Sequence, residues 1–218
     1  MHEYTVIGHP RQKVIFFVAI VSVVVSNFIS DYVYQWLKQF FNITLTFTIS
    51  SSVIFAILYV FFNQFLWKSK IFEKIFHFPN LEGEWKCTGL SNNISLGQKF
   101  DWEGTIVIKQ SWDKILISLK TKSSSSQSKS VTGGLRYFAG VGYELSYHYE
   151  NTPNASRDGL QKHEGFCILT FSPEKEAAGG CYFNNIKDRQ SYGEMNLKRR
   201  KNKNAKVKLF KSFKFSKE

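Results

Sequence analysis

The sequence predicts a membrane α-helical hairpin plus an all-β domain: an N-terminal two-helix transmembrane segment followed by a small eight-stranded up-and-down antiparallel β-barrel. Two long apolar runs come first, residues 14–30 and 43–67, and neither contains Lys, Arg, Asp or Glu. From residue 81 onward, short β-rich runs alternate with turn residues and show no helical period. Membrane helices need about 20 mainly apolar residues, whereas repeated short strands are typical of a barrel or a sandwich.

The flanks of the two runs indicate how they are inserted. The first run is short, but it reaches spanning length if it continues through Asp31 into residues 32–37. It has no small-residue cleavage site and a second run follows soon, which favours a retained helix over a cleaved signal peptide. Basic residues precede the first run and follow the second, while Asp31 and Lys38 are the charged residues between them. The positive-inside rule therefore places both termini and the β domain in the cytoplasm.

Small hydroxyl residues mark both predicted helices. Ser22, Ser26 and Ser30 recur every fourth residue in the first, and residues 50–52 are three serines expected near the middle of the second. Such residues let membrane helices approach closely. The pattern predicts contact within the hairpin or contact between hairpins of different subunits, and the sequence favours neither. An amphipathic connector at 68–80 then leads to the β domain.

The chain of 218 residues thus divides into a two-helix transmembrane region with its connector (1–80), a β-barrel ligand-sensing domain (81–200) and a basic tail (201–218). The net charge of +12 is uneven: residues 81–197 carry 13 basic and 13 acidic side chains, whereas residues 198–218 carry ten and one. A nucleic-acid-binding domain concentrates positive charge on its folded face. We therefore expect no DNA or RNA partner for the barrel. The tail is expected beside the bilayer or solvated, with RNA binding as a weaker alternative.

Eight strands are predicted, at residues 81–89, 102–110, 113–121, 130–138, 142–150, 163–172, 178–186 and 190–199. Alternation is clearest where Trp85 and Cys87 alternate with Glu84 and Lys86. Hairpins joining eight strands favour a closed barrel, which leaves no free edge and can hold one small ligand; a sandwich is the alternative. The long loops fall at one end of such a meander, which predicts the ligand entrance there. They are residues 90–101, 122–129 and 151–162.

The sequence contains no recognisable catalytic arrangement, so we do not expect an enzyme. Cys87, Cys167 and Cys181 have no nearby Cys/His grouping, which predicts reduced thiols rather than a zinc site or a disulfide frame. His148 and His163 lack a neighbouring acid and nucleophile, and a structural role is favoured for both. We expect no cofactor and no bound metal.

The candidate ligand contacts are aromatic residues and the few arginines of the domain. Aromatic faces can stack a planar base, and guanidinium groups are favoured partners of phosphate oxygens. Arg136 lies in a predicted strand beside Tyr137, whereas Arg157 and Arg189 lie in loops at the far end. A surface salt bridge explains each arginine equally well. The predicted ligand-binding residues are Arg136, Tyr137, Tyr147, Arg157, Tyr182 and Arg189.

The layout resembles the membrane effectors of bacterial cyclic-oligonucleotide antiphage signalling (CBASS), which join two transmembrane helices to a minimal eight-stranded β-barrel. The local marks of the resemblance are PNLEGEWKC at 79–87, GGCYFNN at 179–185 and SYGEMNLKR at 191–199. The resemblance implies that a nucleotidyltransferase senses infection and makes a cyclic dinucleotide second messenger, which the barrel binds. It further implies a homo-oligomer whose helices disrupt the lipid bilayer of the bacterial inner membrane and kill the infected cell.

Two rival classes stay open. A membrane-tethered lipocalin-like carrier would bind an apolar or lipid ligand in a wholly apolar barrel, and a Gly-x-Trp opening such as residues 83–85 also occurs in such barrels. A structural adaptor would have a filled barrel and no ligand. Loss of nucleotide binding on mutation of Arg136 and Arg157 would favour the receptor over the carrier.

Overall fold

The computed structural model describes residues 1–41, 50–94, 97–122, 127–152, 163–184 and 191–200. The chain forms two compact units. A helical unit combines Tyr4–Asn80 with the short segment Gln110–Lys114, and a barrel unit combines Met1–Glu3, Leu81–Lys109 and the chain from Ile115 onward. The predicted basic tail at 201–218 lies outside the described residues.

Two apolar helices dominate the helical unit. Helix α1 is Arg11–Phe41 and α2 is Ser51–Gln64, followed by a 3₁₀ turn at Leu66–Lys68 and the short helix α3, Lys70–Phe76. With 31 residues, α1 is about 46 Å long, which exceeds the roughly 30 Å of a bilayer core. Both Arg11–Phe41 and Ser51–Lys68 are long and apolar enough to cross a membrane. The predicted start of the second helix, at residue 43, lies outside the described residues.

The serines of the second helix lie at its start, so the expectation that they lie near its middle was wrong. Ser50 is the N-cap residue, and its Oγ accepts a hydrogen bond from the Ser52 N–H at 3.3 Å. Serine favours this position because its side chain satisfies an N–H group that has no partner within the helix. In the first helix, Ser22 and Ser26 are buried, and α1 packs against α2. Their burial within a single chain supports contact inside the hairpin.

An aromatic cluster in the helical unit surrounds Trp112, which is 1% exposed. Arg11 Nη2 donates a hydrogen bond to the Trp112 carbonyl at 2.9 Å, and Trp112 Nε1 donates to His9 Nε2 at 3.1 Å. Burial, together with the charge of Arg11, lowers the pKa of His9 to about 4, so its ring is neutral and accepts this bond at neutral pH. The Asp113 N–H donates to Asn63 Oδ1 of α2 at 3.3 Å. The segment Gln110–Lys114 is therefore bonded to the first and second helices and to the chain before them.

Ten β-strands occur among the described residues. Two are short and precede α1: β1 (His2–Glu3) and β2 (Thr5–Ile7). The other eight are β3 (Gly83–Asn93), β4 (Gln98–Gln110), β5 (Lys114–Thr121), β6 (Gln127–Phe138), β7 (Gly142–Thr152), β8 (His163–Phe171), β9 (Ala177–Asn184) and β10 (Ser191–Arg199). Each of these eight lies beside its sequence neighbours, and β3 pairs with β10. The fold class is confirmed: apolar helices precede a closed eight-stranded antiparallel barrel, not a sandwich.

The strands differ from the predicted ones mainly at the loop ends. The predicted loop 90–101 is mostly strand, because β3 continues to Asn93 and β4 begins at Gln98. Asn92 and Asn93 are turn-forming residues, but β3 pairs with β4 on one side and β10 on the other along this stretch, which satisfies their backbone groups. The polar lead before α1 also contains strand. There β1 lies next to β5, and His2 Nε2 is 2.7 Å from Ser130 Oγ of β6.

Large side chains fill one end of the barrel. Trp85 near the start of β3 and Phe171 at the end of β8 are fully buried, with ring centroids 5.0 Å apart. Trp85 Nε1 donates a hydrogen bond to the Leu81 carbonyl at 3.2 Å, and the Arg199 guanidinium lies 5.2 Å from the Trp85 ring. Ser91, which lines a cavity inside the barrel, follows Trp85 by six residues in β3. The packed end is therefore about 20 Å along the strand from Ser91. The space for a ligand therefore lies toward the other end.

Two adjacent glycines of β9 give a matched test of barrel packing. A Cβ on Gly180 would overlap the backbone oxygen of Ile168, whereas one on Gly179 would make an ordinary 3.4 Å contact with Asn196 Oδ1. We expect Gly180→Ala to destabilise the barrel by about 2 kcal/mol or more, since overpacking forces strand backbones apart. Gly179→Ala is the control and is expected to stay within about 0.5 kcal/mol of the parent. Thermal unfolding of the full chain in detergent micelles measures both, and equal stability of the two variants would contradict this close strand approach.

Candidate ligand-binding cavity

The barrel encloses a cavity of about 310 Å³. Small-molecule sites in proteins usually measure about 300–1,000 Å³, so this space is large enough for a compact ligand. Its walls come from strand residues near the end of the barrel that carries the long loops. Aliphatic and aromatic side chains form much of the wall: Phe100, Trp102, Ile117, Leu119, Tyr147, Tyr149, Tyr182 and Met195. The ligand entrance predicted at this end agrees with where the cavity lies.

Neutral polar residues complete the lining. They are Ser91, Asn93, Thr121, Ser128, Asn151, His163, Asn184 and Ser191. Among the described residues, no Lys, Arg, Asp or Glu lines this cavity. The described part of the wall therefore offers a ligand aromatic side chains and hydrogen-bonding groups.

One hydrogen-bonded group joins three strands through Tyr182. Trp102 Nε1 of β4 donates to the Tyr182 hydroxyl of β9 at 3.1 Å, and the same hydroxyl is hydrogen-bonded to Ser91 Oγ of β3. Burial raises the pKa of Tyr182 above its usual value, so the phenol is neutral at physiological pH. These bonds fix the positions of two large rings, Trp102 and Tyr182, in the cavity wall.

A second group links Tyr149, Asn184 and Ser191. The Tyr149 hydroxyl of β7 donates to Asn184 Oδ1 of β9 at 2.5 Å, and Asn184 Nδ2 donates to Ser191 Oγ of β10 at 2.7 Å. Burial also raises the pKa of Tyr149 and keeps it neutral. The chain of bonds crosses three strands, so it holds the polar wall in one arrangement.

A third pair, Asn151 and His163, lies across β7 and β8. The two residues are direct partners in the strand register, and Asn151 Nδ2 is 3.0 Å from His163 Nε2. Asn151 is 9% exposed, and its Oδ1 is buried without a hydrogen-bond partner in the part of the chain that the structure describes.

The structure brings together two of the six predicted site residues. Tyr147 and Tyr182 line the cavity. Arg136 and Tyr137 do not: Arg136 is exposed with its guanidinium 5.5 Å from the Phe138 ring, and Tyr137 packs on Tyr143 with centroids 5.2 Å apart. Both lie eight or more residues along β6 from Ser128 of the cavity wall, which is about 26 Å.

Arg157 and Arg189 lie outside the described residues, so their predicted roles stay predictions. Sequence reasoning missed the neutral polar residues of the wall, above all Asn151. Strand alternation could have found it, because Tyr147, Tyr149 and Asn151 occupy every second position of β7 and so share one face. His163, for which a structural role was favoured, also lines the cavity.

Comparison with known families gives two matches that follow one another along the chain. The model of the transmembrane helices of Cap15 matches residues 12–68, and the model of the Cap15 cyclic dinucleotide receptor domain matches residues 76–199. The chain belongs to the Cap15 family. A curated relative, CD-NTase-associated protein 15 of Yersinia aleksiciae, is 37% identical over 207 residues, covering 91% of this chain and 97% of the relative.

Membership of the family confirms the resemblance to CBASS membrane proteins. The match to the receptor domain spans β3 to β10 and therefore every residue of the cavity wall. The match to the transmembrane helices includes nearly all of α1 and the whole of α2. The chain is therefore a CBASS-associated membrane protein with a receptor domain for cyclic dinucleotides.

The three cysteines give a test of how tightly the barrel wall is packed. Burial raises the pKa of Cys87 and Cys167 to about 12, which leaves about one thiol in 10,000 ionised at pH 8. Cys181 is exposed. We therefore expect iodoacetamide to modify Cys181 alone in the folded chain at pH 8 and all three thiols after denaturation, as read by mass spectrometry. Modification of Cys87 as fast as Cys181 would contradict the packing.

Proposed function

We propose that this protein is a cyclic-dinucleotide-activated membrane effector of antiphage defence. A cyclic dinucleotide fills the barrel cavity, the liganded chains form a homo-oligomer, and the clustered helices disrupt the inner membrane and kill the infected cell. The observation that carries this proposal is a cavity with aromatic and neutral polar walls inside a domain that matches the cyclic dinucleotide receptor model. The Yersinia aleksiciae relative is named as a protein associated with a CD-NTase. We infer that such a nucleotidyltransferase supplies the ligand here.

The chemistry of the cavity suits this ligand class. A cyclic dinucleotide offers two planar bases, two ribose groups and two phosphodiesters. The rings of Trp102, Tyr149 and Tyr182 supply faces on which a base can stack, an interaction worth about 1–3 kcal/mol per base. Asparagine, serine and histidine side chains of the wall supply hydrogen-bonding groups for phosphates and base edges.

The lining argues against the rival classes. A carrier of an apolar ligand needs an apolar wall, but half of the lining residues of this cavity are polar, and Ser91, Asn184 and Ser191 among them belong to hydrogen-bonded groups. Stripping water from such groups without replacing their bonds is unfavourable, so an apolar ligand gains little here. A structural adaptor with a filled barrel would leave no space of this size.

The helices carry the apolar surface that an oligomer or a bilayer requires. On α1, Phe16, Phe17, Val24 and Phe28 are each more than 60% exposed within a single chain. Ser22 and Ser26 are buried instead, so large apolar side chains rather than serines form the face open to other subunits or lipid. In the proposed membrane arrangement, the positive flanks of the spans keep both termini and the barrel in the cytoplasm, where a second messenger is made.

Dye release from liposomes tests the membrane step. We expect the full chain in liposomes of bacterial phospholipids to release an encapsulated dye when a matching cyclic dinucleotide is added, because ligand binding favours the assembled state. The linear dinucleotide of the same bases and protein-free liposomes are the controls. Binding of the cyclic dinucleotide without dye release would contradict the disruption step, whereas absence of binding would contradict the receptor function.

Alanine substitutions of three arginines test which residues contact the phosphates of the cyclic dinucleotide. In the sequence, Arg189 comes two residues before Ser191 of the cavity wall. We expect Arg189→Ala to weaken cyclic dinucleotide binding about tenfold, as loss of a charge-assisted hydrogen bond does, with a smaller loss for Arg157→Ala. Isothermal titration calorimetry of the full chain in detergent at two salt concentrations measures this.

Arg136→Ala is the matched control in that experiment. Its guanidinium lies on Phe138, about 26 Å along β6 from the cavity wall. We expect this variant to bind the ligand as the parent does. A loss on Arg136→Ala equal to that on Arg189→Ala would instead place the ligand on the outer face of the barrel.

A further inference from the structure

A groove runs along the two membrane-spanning helices, at the end where α1 begins and α2 ends. Its volume is about 540 Å³, which lies within the usual range for small-molecule sites. Its floor contains Val14 and Phe62, which are buried, whereas its rim contains Phe17 and Phe61, which are at least half exposed. The groove is therefore open along one side to whatever surrounds the helices.

The groove is apolar except at one end. Of the twelve lining residues that the structure describes, eleven are apolar and the other is Lys13. Lys13, Phe17 and Val21 occupy every fourth position of α1, so they lie along one face of the helix. Val21 is thus about 12 Å along α1 from Lys13, which is most of the roughly 15 Å depth of hydrocarbon in one leaflet. The groove combines a cation at one end with an apolar surface of leaflet length.

Helix α3 forms the wall of the groove at the lysine end. Phe72 and Phe76 of α3 have ring centroids 4.4 Å apart, and the Phe72 ring lies 5.1 Å from the ring of Phe62 in α2. The His9 ring lies 6.1 and 5.6 Å from the same two α3 rings. Since His9 comes two residues before α1, these contacts place the phenylalanines beside the first turn of α1. Three helices therefore shape the groove, which makes it a more defined site than the face of one helix.

We propose that this groove binds one acyl chain of an anionic phospholipid, with the lipid phosphate beside Lys13. Lys13 directly precedes the first apolar run, so in a spanning helix its ammonium group extends to the level of the lipid head groups. Lipid tails are as apolar as the groove, so close packing rather than exclusion of water favours an acyl chain there. Selectivity among lipids then depends on the charge of the head group.

The charges of the helices favour a lipid over a second copy of the chain as the occupant. Asp31 is the one acidic residue within α1 and α2. It is 18 positions from Lys13 in α1, which is about 27 Å along the helix. A copy inserted in the same orientation therefore presents apolar side chains of its spanning helices, not a carboxylate, at the level of Lys13. A phospholipid supplies an anion at that level and an apolar chain below it.

Native mass spectrometry, which counts the lipids that each chain retains, tests the proposal. The full chain in a non-ionic detergent is incubated with an equimolar mixture of phosphatidylglycerol, which is anionic, and phosphatidylethanolamine with the same acyl chains. Lys13→Gln removes the cation of the groove, and Lys38→Gln, in the last turn of α1, is its control. Val18→Trp fills the groove, whereas Val24→Trp adds the same side chain at an exposed position of α1 outside it.

We expect the parent chain to retain one phosphatidylglycerol in preference to phosphatidylethanolamine. Lys13→Gln should lower this preference about fivefold, as the loss of one lysine near an anionic surface does, while Lys38→Gln keeps it. Val18→Trp should remove most retention of both lipids, because the indole takes the place of the acyl chain, while Val24→Trp retains them as the parent does. Dihexanoyl phosphatidylglycerol should be retained less than the dipalmitoyl lipid, because its short chains leave much of the groove unfilled.

Other results overturn the assignment. Equal retention of the two lipids by the parent would exclude a phosphate site at Lys13. Equal losses in Val18→Trp and Val24→Trp would show that lipids cover the helices generally instead of occupying the groove. A dimer that retains no lipid and that Val18→Trp dissociates would assign the groove to a second copy of the chain. Thermal unfolding in the same detergent shows whether each variant folds, and Lys13→Gln with the two chain lengths carries the test if Val18→Trp does not.

Discussion

The cavity exists because the eight strands form a closed ring. The ring closes between β5 and β6, which share few paired residues. Three residue pairs join β5 to β6, from Ser118 with Lys129 to Lys120 with Gln127, against eleven between β3 and β4. Side chains extend the closure: Ser130 Oγ accepts the Ile117 N–H at 2.9 Å. Cavity residues come from both β5 and β6, so the cavity spans this short closing pair.

The same strands connect the cavity to the helical unit through the chain itself. Trp102 of β4 and Ile117 of β5 line the cavity, and the turn that joins β4 to β5 belongs to Gln110–Lys114 of the helical unit. Within that unit the turn is held by hydrogen bonds from Arg11 and Asp113 as well as by burial of Trp112. The chain between β4 and β5 therefore belongs to the helical unit, although both strands contribute residues to the cavity wall.

The sequence predicted those features of the fold that depend on local patterns of residues. Apolar runs and strand alternation are local patterns, so they predicted the helices and all eight strands. Alternation along β6 also places Arg136 on the outer face of the barrel, because its neighbour Leu135 is 1% exposed and lies on the inner face. The expectation of arginines as phosphate contacts came from general chemistry instead. The pairing of β1 beside β5 could not be predicted, because a two-residue strand has no pattern of its own.

Among the described residues, the cavity wall contains no Lys, Arg, Asp or Glu, and this has a physical consequence for recognition. Burying a guanidinium in the barrel would cost several kcal/mol of desolvation before any phosphate arrived. Neutral amides and hydroxyls avoid most of that cost. Hydrogen bonds such as those that join Tyr149, Asn184 and Ser191 keep these groups oriented. In the proposed function, Arg157 and Arg189, which lie outside the described residues, supply positive charge that attracts an anionic ligand. In the proposed function, selection among ligands of equal charge depends on the hydrogen-bonding groups of the cavity wall.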